Sequence, residues 1–228
     1  MLHICLLSAE LTKYAGEIGI GISETLYMVI VSTLISYVIG LPIGVLLSVT
    51  DKEGICPCKT VNSIVGFIVN LLRSVPFIIL LVAIIPFTRF IVGTSIGSSA
   101  TIVPLVVSAF PFVARMVESS IKEVDQGIIE AAESMGTSNF KIITKVLIPE
   151  AKPSLLMGSA IAITTILGYS AMAGFVGGGG LGAIAINYGY YRYNTGVMLV
   201  TVVFLVIIVQ LFQEIGLRAT RVTDKRIK

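Results

Sequence analysis

Charge is what this sequence lacks most. Only 13% of its 228 residues are Asp, Glu, Lys or Arg, while 55% are hydrophobic. A soluble domain carries about 25% charged residues. So little charge cannot cover a water-facing surface, which excludes an ordinary soluble domain and makes lipid the expected solvent. The net charge is only +3, and the basic residues form no stripe, so no nucleic-acid partner is expected. Cysteine is scarce as well. Cys5, Cys56 and Cys58 make an odd count without framework spacing, which excludes a disulfide scaffold. Cys56-Pro-Cys58 has no neighbouring His and reads as two reduced thiols in a short loop rather than a metal site. There is no Gly-Lys dipeptide, hence no P-loop and no ATP site of that kind on this chain. The run from Leu2 to Ala9 is short, has no charged n-region and is followed by Glu10 and Lys13, so no cleavable signal peptide is expected. No repeat or low-complexity segment divides the chain, and a single domain over 1–228 is expected.

Long apolar runs are what the sequence has instead. The first is charge-free from Thr25 to Thr50. Its core, Leu26 to Val49, reaches roughly 36 Å at about 1.5 Å per residue, enough to cross a hydrocarbon layer of about 30 Å with some tilt. Asp51, Lys52 and Glu53 stop it. A second run lies between Val61 and Pro86, and Arg73 interrupts it, so its first half is expected along the membrane surface. A third runs from Ile96 to Ala114 and is ended by Arg115. The fourth covers Leu155 to Val176 and the fifth Thr195 to Phe212, with Glu214 and Arg218 beyond. The expectation is an all-α, polytopic integral membrane protein with five transmembrane helices.

The basic residues orient it. One set of loops holds Lys52, Lys59, Arg115, Lys122, Lys141, Lys145, Lys152, Arg218, Arg221, Lys225, Arg226 and Lys228; the other holds only Lys13, Arg89 and Arg192. The rich side is cytoplasmic by the positive-inside rule. The N-terminus is then outside and the C-terminus cytoplasmic, which requires an odd number of spans. Gly40-Leu-Pro-Ile-Gly44 offers a small-xxx-small face for close helix approach. Pro42, Pro76, Pro104 and Pro111 are each expected to bend or break a helix.

The segment Lys122 to Pro153 carries its own helical signals. Asp125 can cap a helix start. Ile128, Ile129, Ala132 and Met135 then share a face, and Gly136 can end the helix at positive φ. Thr137 or Ser138 can cap a second helix, lined by Phe140, Ile143 and Leu147 and limited by Pro149. Two short amphipathic helices joined at a glycine form a knob whose apolar face needs the membrane, its own bundle or a partner's groove.

Glu130-Ala131-Ala132, then Gly136, then Val146-Leu147-Ile148-Pro149 resembles the EAA loop of ATP-binding-cassette importer permeases. Arg73-Ser-Val-Pro-Phe77, Ile85-Pro-Phe-Thr-Arg89, Pro111-Phe-Val-Ala-Arg115, Gly168-Tyr-Ser-Ala-Met172 and the segment from Gly177 to Gly182 are similar to the methionine-importer permease family of type I importers. The similarity covers about Glu24 to Phe212, and the loop Gly54 to Lys59 with its two cysteines departs from the usual pattern. The resemblance implies a transmembrane domain with its core at about 24–212 and a coupling loop at about 122–153. That loop would insert into a separate ATPase through Glu130, Ala131, Ala132, Gly136 and Pro149. It further implies a second copy of the chain, ATPase subunits that carry the ATP and magnesium, an extracytoplasmic substrate-binding lipoprotein, and a multi-pass location in a bacterial cytoplasmic membrane. No catalytic residue, cofactor or metal is expected on this chain.

Gly177, Gly179 and Gly182 satisfy G-x-G-x-x-G, but no βαβ pattern surrounds them, so the expectation is a flexible outer loop rather than a nucleotide site. The spans also lack the intramembrane ionisable residues on which a proton relay would run, which counts against an ion-coupled carrier. The polar groups left for a substrate pathway are few; Ser74, Tyr169 and Met172 are the candidates, the last two sharing one helix face. Such a pathway suits weak passage, with selectivity on an external binding protein. The expected substrate is methionine. The alternatives are another small amino acid, and then an ion-coupled carrier or channel.

Overall fold

The computed structural model describes residues 2–223, with side chains from Tyr14 onward. Lys225, Arg226 and Lys228, counted above for orientation, lie outside the described residues, and the side chains of Cys5 and Lys13 are not described. Among the described residues there is no strand. The helices in chain order are α1 (Leu2–Val49), α2 (Lys59–Ser74), α3 (Phe77–Ala83), α4 (Ile85–Val92), α5 (Ser98–Lys122), α6 (Gln126–Ser134), α7 (Asn139–Lys141), α8 (Ile148–Glu150), α9 (Lys152–Ala173), α10 (Gly180–Ile184) and α11 (Thr195–Thr223). Wide π-turns cover Ile142–Leu147 and Ala185–Tyr190, and a 3₁₀ turn covers Gly174–Val176.

Among the described residues four segments are long and apolar enough to cross a membrane: Tyr14–Val49, Ser98–Lys122, Lys152–Val176 and Thr195–Thr223. The pair α2 and α3 makes a fifth only if it counts as one span, for its halves meet at a bend of 99°. The bend falls where Pro76 sits just before α3 at φ −58 and ψ 135, outside helical geometry. Proline disfavours the α conformation at the residue before it, here Val75. The other candidate breakers behave differently. Pro42, Pro104 and Pro111 stay inside continuous helices, as membrane helices allow where neighbouring groups take up the freed carbonyls.

The expected span limits were too short at four ends. Helix α1 continues upstream of Thr25 through Glu24 and Glu17, α5 runs on past Arg115, α9 begins at Lys152, and α11 continues past Phe212 to Thr223. The reason is common to all. Charge ends a hydrophobic run, but it does not end a helix whose backbone hydrogen bonds remain satisfied.

The chain divides into two compact units. One comprises Met1–Leu34, Val75–Ser108 and Ile163–Gln213; the other comprises Ile35–Ser74, Ala109–Ala162 and Glu214–Lys228. In the second unit α1 lies close against α5. A Cβ on Gly40 would stand 2.8 Å from the Phe110 carbonyl oxygen, and one on Gly44 would stand 2.6 Å from Val117 Cβ. The small-xxx-small face of the sequence thus meets a helix. The core of this unit joins Val113, Val117 and Ile121 of α5 to Ala132, Ile142 and Leu147 of the segment after it, all buried. In the first unit the turn from Gly177 to Gly180 is enclosed by α1 and the start of α5.

Candidate functional site

The loop at 122–153 is built around one glycine. Asp125 opens α6, and its Oδ1 accepts a hydrogen bond from the Gly127 N–H at 2.8 Å. At the other end the Gly136 N–H donates to the Glu133 carbonyl at 2.8 Å and the Thr137 N–H to the Ala132 carbonyl at 3.2 Å. With Gly136 at φ +71, this is the paired bonding of a Schellman motif, which satisfies carbonyls that the helix leaves open. A Cβ at Gly136 would meet nothing within 4 Å. The glycine is required by its backbone angle, not by crowding.

The expected single apolar face divides in two. Ala132 is buried and Ile129 half-buried against the α5 core. Met135 is 77% exposed and Phe140 75% exposed. Ile128 is exposed as well. Helix α6 therefore seats one edge on its own unit and offers the other outward. Glu130 and Ala131 lie on the outward side, both exposed. Of the Glu130-Ala131-Ala132 motif, only the last residue serves the core.

Beyond Gly136 the sequence reading needs two corrections. Ser138 occupies the cap position of α7 but makes no side-chain cap bond. Pro149 does not limit the second helix: helical backbone continues through Glu150 into a turn at Ala151. Proline at 149 removes an N–H and crowds the carbonyl four residues back. The turn before it is widened into π geometry over Ile142–Leu147. Ile142 and Leu147 are buried there and Ile143 is partly buried; Phe140, expected to share a face with Ile143 and Leu147, is exposed.

Asn139 ties this loop to the Cys-Pro-Cys segment: its Nδ2 donates to Cys56 Sγ at 2.8 Å. Cys56 and Cys58 are free and exposed. Among the described residues no group of three metal-binding side chains gathers.

A set of charges that the sequence reading passed over lies in the same unit. On α5 the Glu118 carboxylate accepts from Arg115 Nη1 at 2.6 Å and from Lys122 Nζ at 2.9 Å. Lys122 also pairs with Asp51 at 2.5 Å. Arg115 Nη2 reaches α2, donating to the Gly66 carbonyl at 3.1 Å and to Asn70 Oδ1 at 2.9 Å. The Lys122 ammonium, together with the Lys52 backbone N–H, holds the Asp51 carboxyl below the usual carboxylate range. The signal was available: charges at 115, 118 and 122 repeat at helical spacing.

The pathway candidates fall in different units. Tyr169 and Met172 belong to the first unit. The Tyr169 ring stacks on Phe77 with centroids 4.5 Å apart and planes 8° from parallel. Met172 is 45% exposed. Ser74 belongs to the second unit, where its hydroxyl is turned back to the Asn70 carbonyl at 2.8 Å.

The Gly177 to Gly182 segment is not the flexible loop that its composition led us to expect. Gly177, Gly179 and Gly180 all have positive φ. The Gly180 N–H donates to the Glu24 carboxylate at 2.6 Å, and the Leu181 N–H to Thr25 Oγ1 at 2.9 Å. Thr101 Oγ1 donates to the Gly178 carbonyl at 3.1 Å. A Cβ on Gly182 would stand 2.5 Å from the Ala171 carbonyl oxygen. These glycines let backbone approach backbone.

Comparison with known proteins gives this arrangement its relatives. The profile of the family described as "Binding-protein-dependent transport system inner membrane component" matches residues 40–228. The chain is 51% identical over 203 residues to a Vibrio cholerae protein named "Probable D-methionine transport system permease protein MetI", covering 89% of this chain and 90% of that one. It is 45% identical over 203 residues to the Bacillus subtilis "Methionine import system permease protein MetP", covering 89% and 91%. Among solved structures, a chain of the MetNI methionine ABC transporter in an inward-facing conformation superposes with a TM-score of 0.92 at 50% identity, over 93% of this chain and 99% of that one. A chain of an amino acid ABC transporter crystallised with histidines shares the fold, at a TM-score of 0.77 and 20% identity. The chain belongs to the family of binding-protein-dependent transport system inner membrane components.

Proposed function

We propose that this chain is the membrane-spanning permease subunit of an ATP-driven importer that moves methionine across a bacterial cytoplasmic membrane. The observation that carries the substrate is the 51% identity, over 89% of the chain, to a permease named for D-methionine transport. The chain is not the enzyme of the complex. Its energy comes from ATP and magnesium on a separate ATPase, since no P-loop exists here.

The working unit is a pair of these chains with ATPase subunits on the cytoplasmic side and an extracytoplasmic binding protein on the other. Each chain is one transmembrane domain over 1–228, its core at about 24–212. Five spans, the broken α2–α3 pair counting as one, put the N-terminus outside and the C-terminus inside, as the loop charges require. The loop at 122–153 then lies with the ATPase. Exposed Met135 and Phe140 are apolar side chains of the kind that fill a partner's groove. Glu130 and Ala131 line the same outward side, Ala132 anchors it to the core, Gly136 sets its turn and Pro149 stands at its far end. Closure of the ATPase subunits on ATP draws two such loops together and shifts the spans between inward-open and outward-open states. Ser74, Tyr169 and Met172 line the pathway, a weak route that leaves selection to the binding protein.

The test is uptake. The complex should be purified from its native membrane through a tag on this chain, reconstituted in liposomes and given labelled methionine outside with the binding protein. ATP-dependent accumulation supports the reading. Accumulation without ATP overturns it in favour of a carrier, and accumulation of another amino acid in preference to methionine overturns the substrate.

A further inference from the structure

The charges on α5 serve above only to orient the spans, yet one of them is buried. Glu118 is 8% exposed. A buried carboxylate is costly unless it is paired and hydrogen-bonded. It is held by two cations of its own helix, Arg115 and Lys122. Those cations in turn hold other parts of the unit: Lys122 holds Asp51, just after α1, and Arg115 holds Gly66 and Asn70 of α2. One face of α5 meanwhile carries the coupling loop, through Val117 and Ile121 packed in one core with Ala132 and Leu147. Apolar contact between α2 and its neighbours is slight by comparison, with Val69 buried against Leu47 and Ala114. Arg115 Nε is buried without a partner.

We propose that Glu118 is a positioning residue for transport. It fixes Arg115 so that α2 moves with α5 when the coupling loop is displaced. The argument rests on the importer reading, because a displacement of the loop is what the network transmits.

The experiment compares methionine moved per ATP hydrolysed in liposomes holding the full complex. For Glu118→Gln, a near-isosteric change that removes the charge, ATP hydrolysis continues while transport per ATP falls by about tenfold, within the range of coupling energies carried by packed networks. Asn70→Ala, at an exposed residue on the far end of the same chain of contacts, produces a smaller fall in the same ratio. The double variant is no worse than Glu118→Gln alone, since both changes cut one path. Glu118→Asp restores part of the ratio. A merely structural role would lower yield and melting temperature while leaving the ratio unchanged, and that result overturns the proposal. Additive losses in the double variant overturn it as well. Should Glu118→Gln fail to assemble, Asn70→Ala decides alone, because its exposed amide is not needed to fold. If the unaltered complex moves no methionine, the importer reading fails instead, and the two failures stay distinct.

Discussion

Two glycine turns in this molecule use the same backbone angle for opposite ends. At Gly136 φ is +71, and a side chain there would meet nothing within 4 Å. At Gly180 φ is also +71, but a Cβ would stand 2.6 Å from Thr25 Oγ1 and 2.8 Å from Met28 Cε. At the second turn Gly180 is buried in its own unit, with its N–H bonded to Glu24. The first stands open, flanked by exposed Met135 and Phe140. A positive φ within dense packing marks a place where the fold needs backbone to meet backbone. A positive φ in open space, beside uncovered apolar side chains, is the shape on which the proposed docking rests.

The comparison breaks first at the closed turn if it is wrong. Gly180→Leu combines left-handed strain with overpacking and should cost about 3 kcal/mol or more. It should show as loss of monodisperse protein and a sharply lower melting temperature in detergent. A well-folded Gly180→Leu chain would mean the turn is loose after all. Gly136→Leu carries the strain without the clash, about 1–2 kcal/mol. Insertion and yield should survive, while ATP-dependent uptake is lost because the turn no longer presents the loop; unchanged uptake would remove the open turn's assigned purpose. The pair Met135→Ser and Phe140→Ser sharpens the same point. Exposed side chains contribute little to folding, within about 0.5 kcal/mol, so melting should not move while co-purification of the ATPase fails. The smallest effect is one of pH. The Asp51 carboxyl is depressed in the folded protein by Lys122. Its contribution is therefore present above the ordinary carboxylate pKa and is lost as pH falls through the lower folded value. The pair is part-exposed, so the loss should be under about 1 kcal/mol. It should be visible as an acid-side fall in melting temperature that Asp51→Asn abolishes.

Much of this was legible in residues read one after another. The all-helical membrane class followed from runs such as Thr25 to Thr50. The cap at Asp125 and the turn at Gly136 followed from side-chain chemistry confined to a few neighbours. What could not be read was whatever depends on residues far apart in the chain. The Gly177 to Gly182 segment looked flexible because nothing local shows that Glu24 and Thr25 reach it. Arg115 looked like a stop, because a charge in a list does not reveal that Glu118 neutralises it from within and that Gly66 and Asn70 receive it from α2. Pro149 looked like an end, because a proline's effect depends on whether the preceding turn can widen. The loop's apolar face looked single, because helical spacing says which residues are neighbours but not which edge the core takes. The substrate was legible only through resemblance, since no residue in these spans has methionine's chemistry written on it.

The wide turn from Ile142 to Leu147 has a geometric consequence for aim. A π-turn holds one residue more than an α-turn over the same rise. Were it to tighten, the surplus residue would be passed toward Gly136, and everything on that side would rotate by about 100° relative to the buried half. Leu147 could stay in its seat while Phe140 swung to a new bearing. On the proposed reading, a loop with such slack in its stem does not have to meet the ATPase at one fixed angle.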